Sequence, residues 1–384
     1  MTDYTAIRRD LHRHPELGFE EHRTQAIVVA HLERCGVDEI HTGLGQTGVV
    51  AIIRGALGPG DRIGLRADMD CLPMTEENRF EHASCHAGKM HGCGHDGHTT
   101  ILLATAEALC QSRQFRGEVA LIFQPAEEGQ GGAQAMVQDG LLSRFPLKRA
   151  YALHNFPGIP QGHIHLRPGP MMASSDRFRI RVQGKGGHGA MPHLSVDPVL
   201  VAAHIVVALQ SLVSRSQNPI RPAVVSCTIV KAGEATNVIP DHAVLEGTFR
   251  AFEPADRARI GEQMVRLASH TAEAFGASAE VSLNQDSHIG YPAVINDAAA
   301  TEIALAAAQA VAPGVKADAD PVPGSEDFSF IAEQVPSCYV LLGNDRGTEQ
   351  DQFFLHHPRY DFNDAILPVG VAFFVELVNR ELGA

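Results

Sequence analysis

Four short apolar runs constrain this chain most: Gly48-Val49-Val50-Ala51-Ile52-Ile53, Arg62-Ile63-Gly64-Leu65-Arg66-Ala67, Val119-Ala120-Leu121-Ile122-Phe123 and Ala150-Tyr151-Ala152-Leu153. They are too short for buried helices, and a helical rhythm near 98–111 separates the middle pair. They read as strands of an α/β sheet covered on both faces. Polar groups follow the last three: Asp68 and Asp70, then Glu127 and Glu128, then His154. Ligands of open α/β sheets bind beyond the carboxyl ends of strands, so these sets are expected to share one crevice.

The segment Met90-His91-Gly92-Cys93-Gly94-His95-Asp96-Gly97-His98 adds a thiol, three imidazoles and a carboxylate within nine residues. Cys93 and His95 lie two apart on a glycine-rich loop, which lets both face one centre. With no CxxC pair, a closed structural zinc knuckle is not indicated. Thiolate, imidazole and carboxylate together suit zinc or another late divalent metal better than magnesium or calcium. The donors exceed what one zinc needs, and two ions sharing a bridging group would use them in hydrolysis. Of the adjacent Glu127 and Glu128, one can bind metal while the other takes a proton from water. A helix-capping role for one of the pair stays open at this level.

Organisation is two-part. Residues 5–35 read as two helices broken at His14-Pro15-Glu16-Leu17-Gly18. Near 173 the texture changes, and Asp176-Arg177-Phe178-Arg179-Ile180-Arg181-Val182-Gln183 alternates as a half-exposed strand does. Asp197-Pro198 opens a helix running to about Arg215. Strands near 223–231 and 242–252, a helix near 255–276 and a strand near 278–284 complete a β-α-β-β-α-β, ferredoxin-like order. From about 289 the chain returns to helix and the buried run Cys338-Tyr339-Val340-Leu341-Leu342-Gly343, which completes the first domain. The expected division is 1–173 and 289–384 for the catalytic domain, with 174–288 inserted and hinges near 172–176 and 286–292. The segment Gly184-Lys185-Gly186-Gly187-His188-Gly189 matches G-x-G-x-x-G, but Pro192 and Pro198 keep a helix from starting at its third glycine, so dinucleotide binding is not expected.

A net charge of −14 disfavours nucleic acid as partner. No apolar run approaches the ~20 residues of a membrane span, and the N-terminus has no signal pattern. Seven scattered cysteines fit reduced thiols, so a cytoplasmic location is expected.

At the level of motifs the chain resembles the di-metal aminoacylase and carboxypeptidase superfamily, in the amidohydrolase branch that includes hippurate hydrolase, N-acyl-amino-acid hydrolases and auxin-conjugate hydrolases. The resemblance rests on His12 to Phe19, Leu65 to Pro73, Met90 to His98, Phe123 to Gly129, Met171 to Asp176, Gly184 to His193, Asn237 to Asp241, Gly324 to Phe328 and Leu355 to Pro358. It implies a mixed-sheet α/β catalytic domain of the di-zinc exopeptidase type carrying an inserted ferredoxin-like lid and dimerisation domain. It further implies Cys93, His95, Glu128, His154 and His356 as ligands of two divalent ions, with Cys93 the bridge. Glu127 is then the general base and acid, Asp70 orients a ligand, and His188 stabilises the oxyanion. Asn237 and Arg250 hold the substrate. Asp68 stands where other branches carry a metal-binding histidine, which leaves the metal open among zinc, manganese, cobalt and nickel. His356 is preferred to His357. Glu326 and Asp327 could cap a helix, and His82, His86, His91 and His98 are expected at the surface or behind the ligands.

The expected activity is hydrolysis of N-acyl amino acids of the hippurate kind by a homodimer or higher homo-oligomer. Within the same chemistry, the alternatives are a deacetylase of N-acetyl-diaminopimelate or N-acetylcysteine and a short-peptide exopeptidase. A metal-binding scaffold without activity is the alternative of another class. Retention of Glu127 beside Glu128 argues against the scaffold, because a mere metal binder needs no base.

Overall fold

The computed structural model describes residues 2–285 and 289–383. The expected hinge at 286–292 therefore falls in part, at 286–288, outside the described residues. The chain divides into two compact units. One comprises 1–171, 295–320 and 327–384, and the other 172–294 and 321–326.

The first unit opens with helices α1, Tyr4–Arg13, and α2, His22–Cys35. Asp3 caps α1 by accepting from the Ala6 N–H at 3.0 Å, and α2 stops at Gly36, whose φ of +72° a glycine adopts without strain. Strands β1 (Glu39–Leu44), β2 (Gly48–Arg54) and β3 (Arg62–Asp68) follow, then helix α3 (His95–Ser112), strand β4 (Glu118–Gln124) and helix α4 (Gly132–Gln138). Strands β5 (Arg149–Pro160) and β6 (Ile164–His165) close this first stretch. The runs β2, β3 and β4 are buried on both faces over nearly their whole length, as their unbroken apolar sequence requires.

The second unit alternates β7 (Asp176–Gln183), α5 (Pro198–Leu209), β8 (Ala223–Ala232), β9 (His242–Ala251), α6 (Pro254–Ala274) and β10 (Ser278–Leu283). Its four strands pair antiparallel in the order β8-β9-β7-β10. Burial along β7 alternates at every residue, so Phe178, Ile180 and Val182 enter the core while Arg177, Arg179 and Arg181 stay outside. Asp197 caps α5 by accepting from the Val199 N–H, with Pro198 at the first helical position. The glycine-rich 184–189 segment starts no helix. Gly187–His188 instead pairs with Val238–Ile239.

The chain then returns to the first unit with α7 (Ala298–Val311), β11 (Val315–Lys316), β12 (Ser337–Asp345) and α8 (Leu367–Leu382). The completed sheet has the order β1-β2-β4-β3-β5-β12-β6-β11. Its centre is parallel, and antiparallel strands flank it. Leu65, Leu121, Phe123, Val340 and Phe373 are fully buried in its core, each worth about 1.5–3 kcal/mol of transfer free energy. The strand expected to end before His154 continues to Pro160, because β12 pairs with it in parallel as far as Asp345. His154 therefore lies within a strand, and a rigid ladder holds it.

Candidate metal centre

Three local features place the donors of the first unit. Gly94 takes φ +94° at the start of α3, which makes His95 the first residue of that helix and sets Cys93 on the turn before it. A Cβ on Gly94 would lie 2.1 Å from Oδ1 of Asn155, so the close approach admits no side chain. Ala126, two residues past the end of β4 and directly before Glu127, has φ +52°, and His356 has φ +65°. A left-handed conformation at a non-glycine residue persists only where its surroundings impose it. For Ala126 the buried Glu21 accepts its N–H at 2.8 Å, and for His356 the Gly92 carbonyl accepts its N–H at 2.8 Å.

The donors converge. Sγ of Cys93 lies 3.4 Å from Nε2 of His154, and Nε2 of His356 lies 3.4 Å from Oε1 of Glu128. Nε2 of His95 is 4.0 Å from the same Glu128 oxygen and 3.7 Å from Oδ2 of Asp68. The sets Cys93/His95/His154, Cys93/Glu128/His356 and His95/Glu127/Glu128 each bring one donor atom per residue within 4.8 Å of the others. Nε2 of His95 and Oε1 of Glu128 are buried, and neither makes a hydrogen bond among the described residues. Two buried, unbonded atoms that can each offer a lone pair, both aimed into one donor cluster, are what a cation site offers when its ligands are preformed.

The surroundings orient these groups. Oδ1 of Asp70 sits 3.1 Å from Nδ1 of His95, and Oδ2 accepts the Glu128 N–H at 2.9 Å. Nδ1 of His154 lies 2.6 Å from the Asn155 carbonyl, leaving Nε2 toward Cys93. Such partners fix ring orientation and tautomer. Glu127 receives the Asp327 N–H at 3.4 Å. Asp327 is fully buried; its carboxylate accepts from Gln124 at 2.6 Å, from Arg66 at 3.2 Å and from the Ala133 N–H at the start of α4 at 2.9 Å. Asp327 thus meets the N-terminal end of a helix remote in sequence, while the helix that follows it, Ser329–Ala332, has no side-chain cap among the described residues.

The electrostatics of the cluster suit a bound cation. Burial pushes the Cys93 thiol well above its ordinary pKa, and Glu128, Glu127 and Asp68 push it further. Burial also drives His154 well down, helped by His98. Burial opposes a charge on His95, yet Asp68, Asp70 and Glu128 outweigh it and raise the group to about 10. A divalent ion among these groups would reverse the penalty on the thiol and use the neutral His154 as a ligand.

The other sequence candidates take definite places. His98 is buried between Asp68, at 2.6 Å, and Asn155, at 2.7 Å. His357 turns aside, accepting the Arg359 N–H and stacking on Phe353. His82 joins Asp361, while His91 is buried with both ring nitrogens unbonded among the described residues. His188, Asn237 and Arg250 belong to the second unit. There Gly189 N–H donates to the Asn237 carbonyl, and His188 pairs with Val238. Arg250 stands toward the far end of β9, and its Nη1 is buried without a hydrogen-bond partner among the described residues. Sequence reasoning had not singled out Glu21, Asn155 or the Asp327 backbone. An arginine, Arg66, inside an apolar run was the visible signal of a buried polar network.

Comparison with known proteins follows the same lines. Residues 64–380 match the model described as Peptidase family M20/M25/M40. The chain is 40% identical over 374 residues to N-acetylcysteine deacetylase of Bacillus subtilis, covering 97% of this chain and 94% of that protein. It is 37% identical over 383 residues to hippurate hydrolase of Campylobacter jejuni, covering 99% and 97%. A crystal structure from Bacillus subtilis, described as a dinuclear metal binding peptidase from the M20 family, superposes with a TM-score of 0.85 at 37% identity, covering 98% of this chain and 96% of that one.

Proposed function

This chain belongs to peptidase family M20/M25/M40, and from that premise we infer a metal-dependent amidohydrolase that cleaves N-acyl amino acids to a carboxylic acid and a free amino acid. The observation that carries the reading is Glu127 beside Glu128. The second carboxylate reaches the cluster of Cys93, His95 and His356, while the first is held by the Asp327 N–H at 3.4 Å. Two divalent ions held by Cys93, His95, Glu128, His154 and His356 would polarise the amide carbonyl and acidify a water molecule. Glu127 takes the proton from that water and returns it to the departing amine nitrogen. Asp70 keeps His95 and the Glu128 backbone in position.

The roles assigned to the second unit follow from the resemblance and from donor chemistry. An imidazole at His188 suits a developing oxyanion. The guanidinium of Arg250, with its unbonded nitrogen, and the amide of Asn237 suit the substrate carboxylate. Hippurate-like substrates are the first reading. The 40% identity to an N-acetylcysteine deacetylase supports small N-acyl groups as the second. The thiolate favours zinc, with manganese, cobalt or nickel as alternatives. A homodimer is supported by the edge position of β8, where Val224, Ile229 and Val230 are exposed, since an apolar edge strand is otherwise a liability. Among the described residues no helix is long and apolar enough to cross a membrane.

The test is to strip the protein of metal and reload it separately with zinc, manganese, cobalt and nickel. Amino acid release is then followed from N-benzoylglycine and N-acetylcysteine. At least one metal should restore turnover, and Glu127→Gln should lower kcat by roughly 10²–10⁴-fold at unchanged metal content. Full metal loading with no turnover of any N-acyl amino acid would overturn the reading.

A further inference from the structure

Away from the centre just described, the first unit carries a second cluster of metal-ligand types. His14, in the turn after α1, faces Cys85 and His86 on the loop that leads from β3 toward Cys93. Nδ1 of His14 lies 3.2 Å from Sγ of Cys85 and 3.4 Å from Nε2 of His86, and all three donor atoms lie within 4.8 Å of one another. These separations have a chemical meaning. Tetrahedral zinc with bonds of about 2.3 Å to sulfur and about 2.05 Å to nitrogen puts its ligand atoms about 3.5 Å (S to N) and about 3.3 Å (N to N) apart. Two of the cluster's three edges, both from Nδ1 of His14, already match that tetrahedron to within a few tenths of an ångström, and the third, from Cys85 to His86, lies within 4.8 Å.

The carriers are held in place by the backbone. The Cys85 N–H donates to the Arg13 carbonyl at 2.9 Å, which ties the loop to the end of α1. The Ser84 N–H donates to Glu76 at 2.6 Å, and the Lys89 N–H closes a turn onto the His86 carbonyl at 3.2 Å. Behind His14, Nε2 faces Asp10 at 3.9 Å, and Arg23 holds that carboxylate through contacts of 2.8 and 2.9 Å. A carboxylate on the far side of a ligating imidazole is the usual support of a metal histidine. Cys85 and His86 are exposed, so an ion can enter and a fourth position stays open to water.

We propose that His14, Cys85 and His86 form a separate binding site for a zinc-class ion, distinct from the centre built on Cys93 and His95. Thiolate and two imidazoles select zinc, cobalt or copper(I) over magnesium and calcium. Binding releases the thiol proton and clips the 84–86 loop to the end of α1. Nothing in this assignment depends on the hydrolytic reading.

Alkylation of the intact, metal-loaded protein tests it without a variant. Iodoacetamide modification of Cys85 is followed by peptide mass mapping with and without added zinc chloride. Zinc at about ten times the dissociation constant should slow modification of Cys85 about tenfold. Cys85→Ser, and separately His86→Ala, should bind about one zinc fewer per chain than the parent at unchanged hydrolytic activity. Equal alkylation rates with and without zinc would overturn the proposal, as would equal zinc content in the parent and both variants.

Discussion

The carboxylate of Asp70 stands 3.1 Å from Nδ1 of His95 through one oxygen and accepts the backbone N–H of Glu128 through the other. One side chain thereby fixes two of the donors, and it fixes the ring of His95 with Nε2 toward the cluster. Asp70→Asn leaves one acceptor oxygen for two N–H groups, so either the His95 ring or the Glu128 N–H faces an amide donor. Metal affinity should fall about 10–100-fold, measured by competition with a chromogenic chelator, with the melting temperature of the metal-free protein little changed.

Gly94 is the hinge between Cys93 and His95, and Gly94→Ala combines a φ of +94° with a contact of 2.1 Å to Asn155. Left-handed strain costs about 1–2 kcal/mol before any clash is counted. The variant should fold with reduced stability in urea and bind substoichiometric metal. Full metal content at parental stability would show that the turn has more freedom than its geometry implies.

Arg66 is buried among Asp68 at 2.7 Å, Gln124 at 2.8 Å and Asp327 at 3.2 Å. Replacing it by methionine keeps the stem and removes the cation from two buried carboxylates. Breaking a buried pair from one side costs about 3–5 kcal/mol, so chemical denaturation of Arg66→Met should show a loss of that size. Because Asp327 carries the N–H that meets Glu127, kcat should fall as well.

His12 sets a pH dependence. Burial disfavours its charge, but Asp96 at 2.8 Å and Glu76 at 3.2 Å overcome this and raise the group to about 9 from 6.5. The folded chain binds this proton more tightly than the unfolded chain. The contribution is therefore complete below about pH 6.5 and is lost as pH rises through about 9. The stability difference between the parent and His12→Asn, from urea titrations at a series of pH values, should narrow across that window. A difference independent of pH would place the proton elsewhere.

Local pattern carried much of this molecule. The runs at 48–53, 62–67 and 119–123 are strands, and the alternation over Asp176–Gln183 is a strand with one wet face. The helix expected near 98–111 begins at His95, which moves a candidate ligand from loop to helix. The extra turn was not legible, because Gly94 starts it in a conformation no periodicity encodes.

Donor identity at the ends of β3 and β4 was likewise fixed by residue type alone: Asp68, Asp70, Glu127 and Glu128 follow apolar runs, and buried strands leave their polar neighbours at the rim. Convergence was another matter. Arg66 reaches Asp327 across 261 residues, and His356 reaches Glu128 from a loop after the last strand. The parallel pairing of β5 with β12 brings that last stretch to the centre and holds His154 inside a ladder. Side-chain periodicity is a property of a few consecutive residues, so the sequence determined the elements and the chemistry each could offer. Which atoms meet within 4 Å depends on sheet order and register, and these are decided only when distant segments bury one another's surface.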